Sequence, residues 1–208
     1  MSQQLHPKLI GYWPLDGNAL DISGSGNHGT VNGAVPCEAP RGRGYYFDGL
    51  DDTIALDASK LPQGDDPFTV SFWAAPDNDK VFFGWGNAGE ATRSPHFDHL
   101  SGDAGNFMLR FCGWAADFDT VVEFDMDGIW HFYAFTHGGG NSYIFRDGIF
   151  YTSSVKTYNI GSIAALIGAR SDGQNLLEGK INQLMVFSVR LELPDILRIM
   201  TGQMPIGV

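Results

Sequence analysis

Six side chains in the middle of the chain are of the types that bind a sugar, and they are Trp85, His96, Asp98, His99, Arg110 and Trp114. Aromatic rings cover the apolar C–H patches of a sugar, while Arg, Asp and His hydrogen-bond its hydroxyl groups. A few such polar groups on a rigid sheet suit a small polar ligand. The alternative is that each tryptophan packs in the core or at an edge. The pattern predicts a ligand groove here, with residues 86–105 as its lid.

Two histidines in this stretch, His96 and His99, flank Phe97 and Asp98. Histidines at this spacing could ligate a metal if the segment formed a helical turn. No second cluster in the sequence completes such a site, and Cys112 lies well beyond it. We therefore favour a polar rim or lid for residues 86–105, since a long loop in a compact domain is usually functional or disordered.

The chain is acidic, with 24 Asp and Glu against 13 Lys and Arg in 208 residues and a formal net charge of −11. Nucleic acid and anionic membranes are therefore disfavoured as partners, because both need a basic surface. Solubility is the main expected reason for the charge. Two cysteines, Cys37 and Cys112, are too few for a disulfide framework. We expect two separate buried thiols.

The first residues, 1–4, show no charged region followed by an apolar run, so no signal peptide is visible. No segment is apolar over a length that could cross a bilayer. The expected location is therefore the cytoplasm, the outside after non-classical export, or a virion. The sequence also leaves a homo-oligomer open.

Short strands with turns at near-regular spacing fill the chain, a pattern typical of a β-sandwich or jelly roll. Phe68–Trp73 and Asn106–Trp114 alternate apolar and polar residues with a period of two. Residues 36–43 are expected to be an irregular connection, and residues 194–200 are the only convincing helix. Without crossover helices, a parallel sheet is excluded. We predict one all-β, antiparallel domain over residues 9–208, after a flexible lead-in at 1–8.

Four segments resemble, in order, the laminin-G-like, concanavalin A-like jelly-roll family. They are the opening Gly11–Ala34, the FDGLDD hairpin within Tyr46–Ile54, the WH strand and DG turn within Gly128–Gly148, and the closing strands Ile167–Phe187. Each motif alone is weak, but together they extend over nearly the whole chain. The resemblance implies two stacked antiparallel sheets, and members are commonly carbohydrate-binding or adhesive modules.

The resemblance also implies a structural calcium ion. Asp16, Asp21 and Asn27 offer oxygens in one loop, and Asn182 could approach from the last strand. Where relatives often have an acid, this chain has Asn182, which removes charge from the expected site. The alternative is that these Asp and Asn side chains hydrogen-bond their own backbone in turns.

Some relatives with the wider fold are glycoside hydrolases or polysaccharide lyases. Glu123, Asp125 and Asp127 alternate along a predicted strand, Thr120–Asp125 and the turn after it, and resemble the paired carboxylates of retaining glucanases. Asp127 is one methylene shorter than the matching residue and adjoins Gly128 in a predicted turn. We favour an exposed acidic strand without catalysis.

The sequence thus favours a non-catalytic, lectin-like module that binds a glycan or another small polar ligand, with calcium as a structural ion. An enzyme of the concanavalin A-like fold is one alternative, whether lyase, hydrolase or cyclase. A structural or assembly module of a virion or cell surface is the other.

Overall fold

The computed structural model describes residues 6–101, 107–113, 117–120 and 128–204. Within these residues there are fifteen strands and one α-helix. The elements are β1 (Leu9–Trp13), β2 (Thr30–Asn32), β3 (Val35–Ala39), β4 (Gly42–Asp48), β5 (Thr53–Leu56), β6 (Phe68–Pro76), β7 (Val81–Gly86), β8 (His96–Ser101), β9 (Phe107–Cys112), β10 (Phe118–Asp119), β11 (His131–Gly138), β12 (Asn141–Arg146), β13 (Ile149–Val155), β14 (Ala164–Ile167), β15 (Glu178–Phe187) and α1 (Leu193–Met200).

The strands form two antiparallel sheets, as the sequence predicts. The larger sheet has the order β13-β12-β11-β6-β15-β4-β3, with β1 also paired to β15. The smaller sheet has the order β10-β9-β8-β7-β14-β5-β2. Neighbours in each sheet are often distant in the chain, so the pairing depends on the two sheets burying their apolar faces against each other.

An aromatic core lies between the sheets. Phe68, Phe72 and Phe135 come from the larger sheet, and Phe97 and Phe111 from the smaller sheet; all five are fully buried. The ring centroids of Phe97 and Phe135 lie only 4.4 Å apart. Offset aromatic pairs add to the free energy gained by burial, so this core fixes β8 and β9 firmly against the larger sheet.

A second apolar cluster covers the outer face of the larger sheet. Helix α1 places Ile196 and Ile199 against Phe132, Met185 and Phe187. Pro194 lies at the start of the helix, where the absence of its N–H costs nothing. No helix in the described part of the chain is long and apolar enough to span a membrane.

Two segments differ from the sequence prediction. Residues 36–43, expected to be irregular, contribute to β3 and β4. The expected lid at 86–105 contains β8, which pairs with β7 on one side and β9 on the other. The strand escaped prediction because His96 and Asp98, which look solvent-exposed in the sequence, are buried on its outer face. Both Cys37 and Cys112 are free thiols, although Cys37 is only half-buried.

Candidate functional site

Strands β8 and β9 place three of the six predicted ligand-binding side chains on one face of the smaller sheet. Asp98 lies directly opposite Arg110, and His96 lies opposite Cys112. Because side chains alternate along a strand, these four residues point away from the core to which Phe97 belongs. Asp119 lies opposite Arg110, and Asp117 contacts Cys112. We call these six residues the β8–β9 outer face.

The centre of the β8–β9 outer face is a bidentate ion pair between Arg110 and Asp98. Arg110 Nε donates to Asp98 Oδ1 at 3.0 Å, and Arg110 Nη2 donates to Asp98 Oδ2 at 2.8 Å. The Asp98 side chain is 2% exposed, whereas that of Arg110 is 21% exposed. Burial raises the pKa of Asp98 to about 6, although the Arg110 hydrogen bonds oppose the rise. The carboxylate is therefore mostly ionised at pH 7 and is held in one position by Arg110.

His96 is neutral beside this pair. Burial lowers its pKa to about 4, with Arg110 and Arg170 adding to the effect and the Ser94 carbonyl opposing it. His96 Nδ1 lies 3.3 Å from the Ser94 carbonyl oxygen, so this nitrogen carries the proton. Nε2 then has a lone pair and lies 4.0 Å from Asp98 Oδ2. The neutral ring can accept a hydrogen bond, in keeping with the tautomer that the Ser94 contact selects.

Two further carboxylates border the ion pair. Asp117 Oδ1 accepts hydrogen bonds from the Cys112 thiol at 2.8 Å and from the Gly113 N–H at 2.9 Å. Asp119 Oδ1 lies 4.0 Å from Arg110 Nε and is buried, yet it has no hydrogen-bond partner among the described residues. The Asp119 side chain as a whole is 35% exposed, so the accessible part of its carboxyl group can accept a hydrogen bond from a ligand hydroxyl.

The loop after β14 covers one side of this face. Ser171 Oγ lies 2.8 Å from Ser94 Oγ, and Arg170 forms an ion pair with Asp172. Gly84 makes the close approach feasible: a Cβ at this position would lie 2.9 Å from His96 Cβ and 3.5 Å from the Arg170 Cα. Any larger residue in place of Gly84 would therefore displace His96 or the loop after β14.

The other three predicted ligand-binding residues are not part of this face. Trp85 is fully buried in the core, where its Nε1 donates to the Pro62 carbonyl at 2.9 Å. His99 points to the core side, edge-on to Phe82 and Tyr133. His96 and His99 lie on opposite faces because the segment is a strand and not a helical turn, so they cannot ligate one metal together. Trp114 lies outside the described residues.

The residues predicted to bind calcium mainly hold backbone groups. Asp21 accepts from the N–H groups of Tyr12, Ser23 and Asn27. Burial alone would raise the pKa of Asp21, but these hydrogen bonds outweigh burial and lower the pKa below its ordinary value. Asn27 exchanges two hydrogen bonds with the Asp57 backbone. This is the turn chemistry that the sequence analysis kept as the alternative.

The remaining two, Asp16 and Asn182, both contact the backbone of Arg43. Asp16 Oδ1 accepts from the Arg43 N–H at 3.1 Å, and Asn182 Nδ2 donates to the Arg43 carbonyl at 2.6 Å. Asn182 Nδ2 also donates to the Pro14 carbonyl at 3.0 Å. The buried amide therefore joins the ends of β1 and β4, where the two strands part from β15.

An acidic cluster that the sequence analysis did not select lies in the turn between β4 and β5. One carboxylate oxygen from each of Asp48, Asp51 and Asp52 lies within 4.8 Å of the others, and the group could hold a metal ion. The FDGLDD motif contained this signal. It was interpreted only as a turn, and Asp48 Oδ1 does accept from the Leu50 N–H at 2.9 Å.

A buried Ser–His–Asp chain was also missed, because its members are far apart in the sequence. Ser142 Oγ lies 2.9 Å from His137 Nδ1, and His137 Nε2 lies 3.1 Å from Asp65 Oδ1. Such a chain can activate a nucleophile, but Ser142 and His137 have no exposed surface. Asp65 Oδ1 also accepts from the Tyr158 N–H at 2.7 Å. The chain therefore ties two loops to the larger sheet and offers no accessible nucleophile.

The glucanase-like carboxylates Glu123, Asp125 and Asp127 lie outside the described residues, as does most of the strand predicted at Thr120–Asp125.

The family comparison covers the larger part of the chain: residues 47–197 match the model described as the concanavalin A-like lectin/glucanases superfamily, a laminin-G-like family. The chain belongs to this superfamily. The family prediction made from the four motifs is thus confirmed, and no curated protein matches the sequence.

Solved structures with a fold similar to that of this chain include a domain in complex with a sugar and the binding domains of toxins. Domain 4 of AbnA, a GH43 extracellular arabinanase from Geobacillus stearothermophilus, in complex with arabinotriose, aligns with a TM-score of 0.72 at 19% identity, over 91% of this chain and 96% of that domain. The binding domain of Paraclostridial Mosquitocidal Protein 1 aligns with a TM-score of 0.70 at 14% identity, over 96% of this chain and 53% of that one.

A third similar structure is the binding domain of botulinum neurotoxin DC in complex with rat synaptotagmin II. It aligns with a TM-score of 0.66 at 13% identity, over 96% of this chain and 52% of that one. The chain therefore spans about half the length of the toxin binding domains. At these identities the likeness shows the two-sheet fold, and it does not transfer a ligand.

Proposed function

We propose that the chain is a non-catalytic carbohydrate-binding module whose glycan contacts the β8–β9 outer face. The observation that carries the proposal is the Asp98–Arg110 ion pair with the partly exposed Asp119 carboxyl group beside it. The arabinotriose complex of a similar domain agrees with the ligand class. Polar groups fixed on strands bind hydroxyl groups without a large ordering cost.

The charges of this face favour a neutral sugar. Asp98, Asp117 and Asp119 outnumber Arg110 and Lys156, whose ammonium group donates to the Asp117 carbonyl at 2.9 Å. Nε and Nη2 of Arg110 already contact Asp98. The chain as a whole has a net charge of −11. Sugar hydroxyls can donate to the Asp117 and Asp119 carboxylates, whereas a uronate or sulfate would meet a surplus of like charge.

The aromatic part of the proposed site is assigned to Trp114 from the sequence, since this residue lies outside the described residues. It is two residues beyond the end of β9 in the sequence, and the Arg110 side chain of β9 is partly exposed. An aromatic ring next to a polar sheet face suits the two kinds of surface on a sugar. Trp85 and His99 are assigned supporting positions beneath the face, because both are buried on its core side.

Calorimetric titration with neutral oligosaccharides, including arabinotriose, tests the proposal. We expect Asp119→Ala to weaken binding by roughly tenfold or more, the usual effect of losing a hydrogen bond to a charged group. Trp114→Ala should have a comparable effect through the loss of stacking. The matched control is Glu38→Ala, which removes an exposed acid from β3 at an edge of the larger sheet and should bind as tightly as the parent.

The proposal fails if none of the neutral oligosaccharides binds, or if Asp119→Ala and Trp114→Ala both keep the parent affinity. Preference for an acidic oligosaccharide of the same length, such as an oligogalacturonate, would contradict the neutral-ligand assignment.

A structural calcium ion belongs to the proposal, and we assign it to the turn of Asp48, Asp51 and Asp52. Three carboxylates within 4.8 Å repel each other, and a bound cation relieves this repulsion. Three backbone N–H groups use the Asp21 oxygens, and three also use oxygens of Asp48 and Asp52. The assignment therefore rests on the clustering of three carboxylates. Calcium at 100 times its dissociation constant should stabilise the fold by about 2.7 kcal/mol.

Thermal unfolding with calcium or with EDTA measures this stabilisation. Asp51→Asn should abolish the calcium-dependent rise in Tm, and Asp21→Asn should retain it despite a lower Tm overall. The same Tm in calcium and EDTA for the parent chain would exclude the ion. Loss of the rise only in Asp21→Asn would move the ion to the opening loop.

A further inference from the structure

A small, partly open cavity lies at the carboxyl-terminal end of α1, on the larger sheet and away from the β8–β9 outer face. Its volume is about 190 Å³. Tyr12, Arg41, Gln183 and Gln203 supply polar groups to its wall, and Met185 and Ile199 supply apolar surface. The lining contains no Asp or Glu, although acids outnumber bases by 24 to 13 in the whole chain.

Arg41 is the charged group of this cavity. Its Nη2 donates to the Met200 carbonyl at 2.6 Å, which caps the last turn of α1. Its Nε is buried and has no hydrogen-bond partner in the described part of the chain, and Arg41 forms no ion pair with any described acid. A buried donor without an acceptor carries a free-energy cost, and the guanidinium keeps hydrogen-bonding capacity beyond its contact with the Met200 carbonyl.

The remaining polar side chains of the cavity carry further donors, and the two glutamine amides also carry acceptor oxygens. Gln183 Nε2 contacts the Tyr12 hydroxyl oxygen at 3.4 Å, which leaves the Tyr12 hydroxyl proton directed at no described acceptor. Gln183 has a φ of +53°, a left-handed conformation that is costly for a residue other than glycine. The strained backbone lies at the irregularity between Asn182 and Met185, where β15 changes its partner from β4 to β1.

A second guanidinium increases the positive charge nearby. Arg198 Nε donates to the Met204 carbonyl at 3.0 Å, and Met204 lines the cavity. Arg198 also has no acidic partner among the described residues. Two arginines without an acidic partner in the described part of the chain thus lie at the end of one helix in a strongly acidic protein. The carbonyl groups of the last turn account for only part of their hydrogen-bonding capacity.

We propose that this cavity binds a small organic carboxylate, with the Arg41 guanidinium and the Tyr12 hydroxyl donating to the anion. A guanidinium presents parallel N–H donors that match the two oxygens of a carboxylate. Met185 and Ile199 accept the short apolar part of such a molecule. A volume of about 190 Å³ suits a molecule of a few heavy atoms. The site is independent of the proposed glycan site.

An NMR titration with sodium acetate at constant ionic strength tests this site, with acetamide as the uncharged isostere. Acetate should saturably shift the Arg41 Nε–H signal and the backbone amide signals of Gln183 and Gly202, and acetamide should not. Arg41→Met keeps the aliphatic stem and should weaken acetate binding at least tenfold. Arg43→Met removes the same charge from an exposed position two residues away and should leave binding unchanged.

Tyr12→Phe removes only a hydroxyl group and provides the test if Arg41→Met destabilises α1; a severalfold loss of acetate affinity is expected. The site is excluded if acetate produces no saturable shift, if acetamide shifts the same signals equally, or if folded Arg41→Met binds acetate like the parent. Unchanged affinity in Tyr12→Phe would exclude the proposed donor arrangement.

Discussion

Arg110→Met is expected to lower the free energy of unfolding by about 3–5 kcal/mol at pH 7, the typical cost of removing one partner of a buried ion pair. The variant leaves the Asp98 carboxylate 2% exposed and without its two-pronged donor. Urea unfolding at pH 7 measures the loss. The side chain of methionine covers the same strand surface. Most of the lost stability is therefore due to the unpaired charge of Asp98.

The loss should shrink as the pH falls. Arg110 holds the pKa of Asp98 down against burial, so its removal raises that pKa above about 6. Below this pKa the carboxyl group is neutral and no longer needs a cation. The double variant Asp98→Asn with Arg110→Met is the control, and it should recover much of the stability at pH 7. A double variant that loses as much as the two single variants added together would show that no coupled ion pair exists.

In the parent protein, the free energy of unfolding should depend little on pH between pH 4 and 6 at this site. The contributions of Asp98 and His96 change in opposite directions over this range. The native pKa of Asp98 is raised from 3.8 to about 6, so its contribution to stability is full below pH 3.8 and is lost as the pH rises through 6. The native pKa of His96 is lowered from 6.5 to about 4, so its contribution is full above pH 6.5 and is lost as the pH falls through 4. Asp98→Asn should therefore leave a stability that rises with pH over this range.

Phe97→Ala should cost about 3–5 kcal/mol in the free energy of unfolding, the usual range for truncating a buried phenylalanine. Phe97 is fully buried and stacks on Phe135 across the two sheets, with centroids 4.4 Å apart. The matched control is Phe150→Ala in β13, where the ring is 49% exposed. This control should change stability much less, because its ring already contacts water.

This comparison separates the two descriptions of residues 86–105. If β8 is a structural strand, Phe97→Ala is severe and Phe150→Ala is mild in equilibrium urea unfolding. If the segment were a mobile lid, Phe97→Ala would be mild and would change only ligand binding.

The two-sheet fold was predictable because most strands carry their own signal. In β9, Leu109 and Phe111 alternate with Arg110 and Cys112, and the core takes the first pair as the period of two requires. Strand β8 was not predictable in this way, since a buried polar face looks like a loop in the sequence. Only the pairing with β7 and β9, made by residues distant in the chain, shows that Asp98 meets Arg110.

The site was predictable in its residue types but not in its geometry. His96, Asp98 and Arg110 were selected and do lie together, whereas Trp85 and His99 face the core. Composition cannot determine which side of a strand a tryptophan takes, because tryptophan suits both a core and a binding surface. The opening loop shows the same limit: three backbone N–H groups occupy the Asp21 oxygens, which spacing alone could not reveal.

The most direct test of the proposed function is a crystal structure of the protein soaked with a neutral oligosaccharide such as arabinotriose. The account predicts a sugar on the outer face of β8 and β9, with hydroxyl groups within hydrogen-bond distance of Asp119 and the Asp98–Arg110 pair. A sugar bound at another surface, with this face unchanged and covered only by solvent, would contradict it.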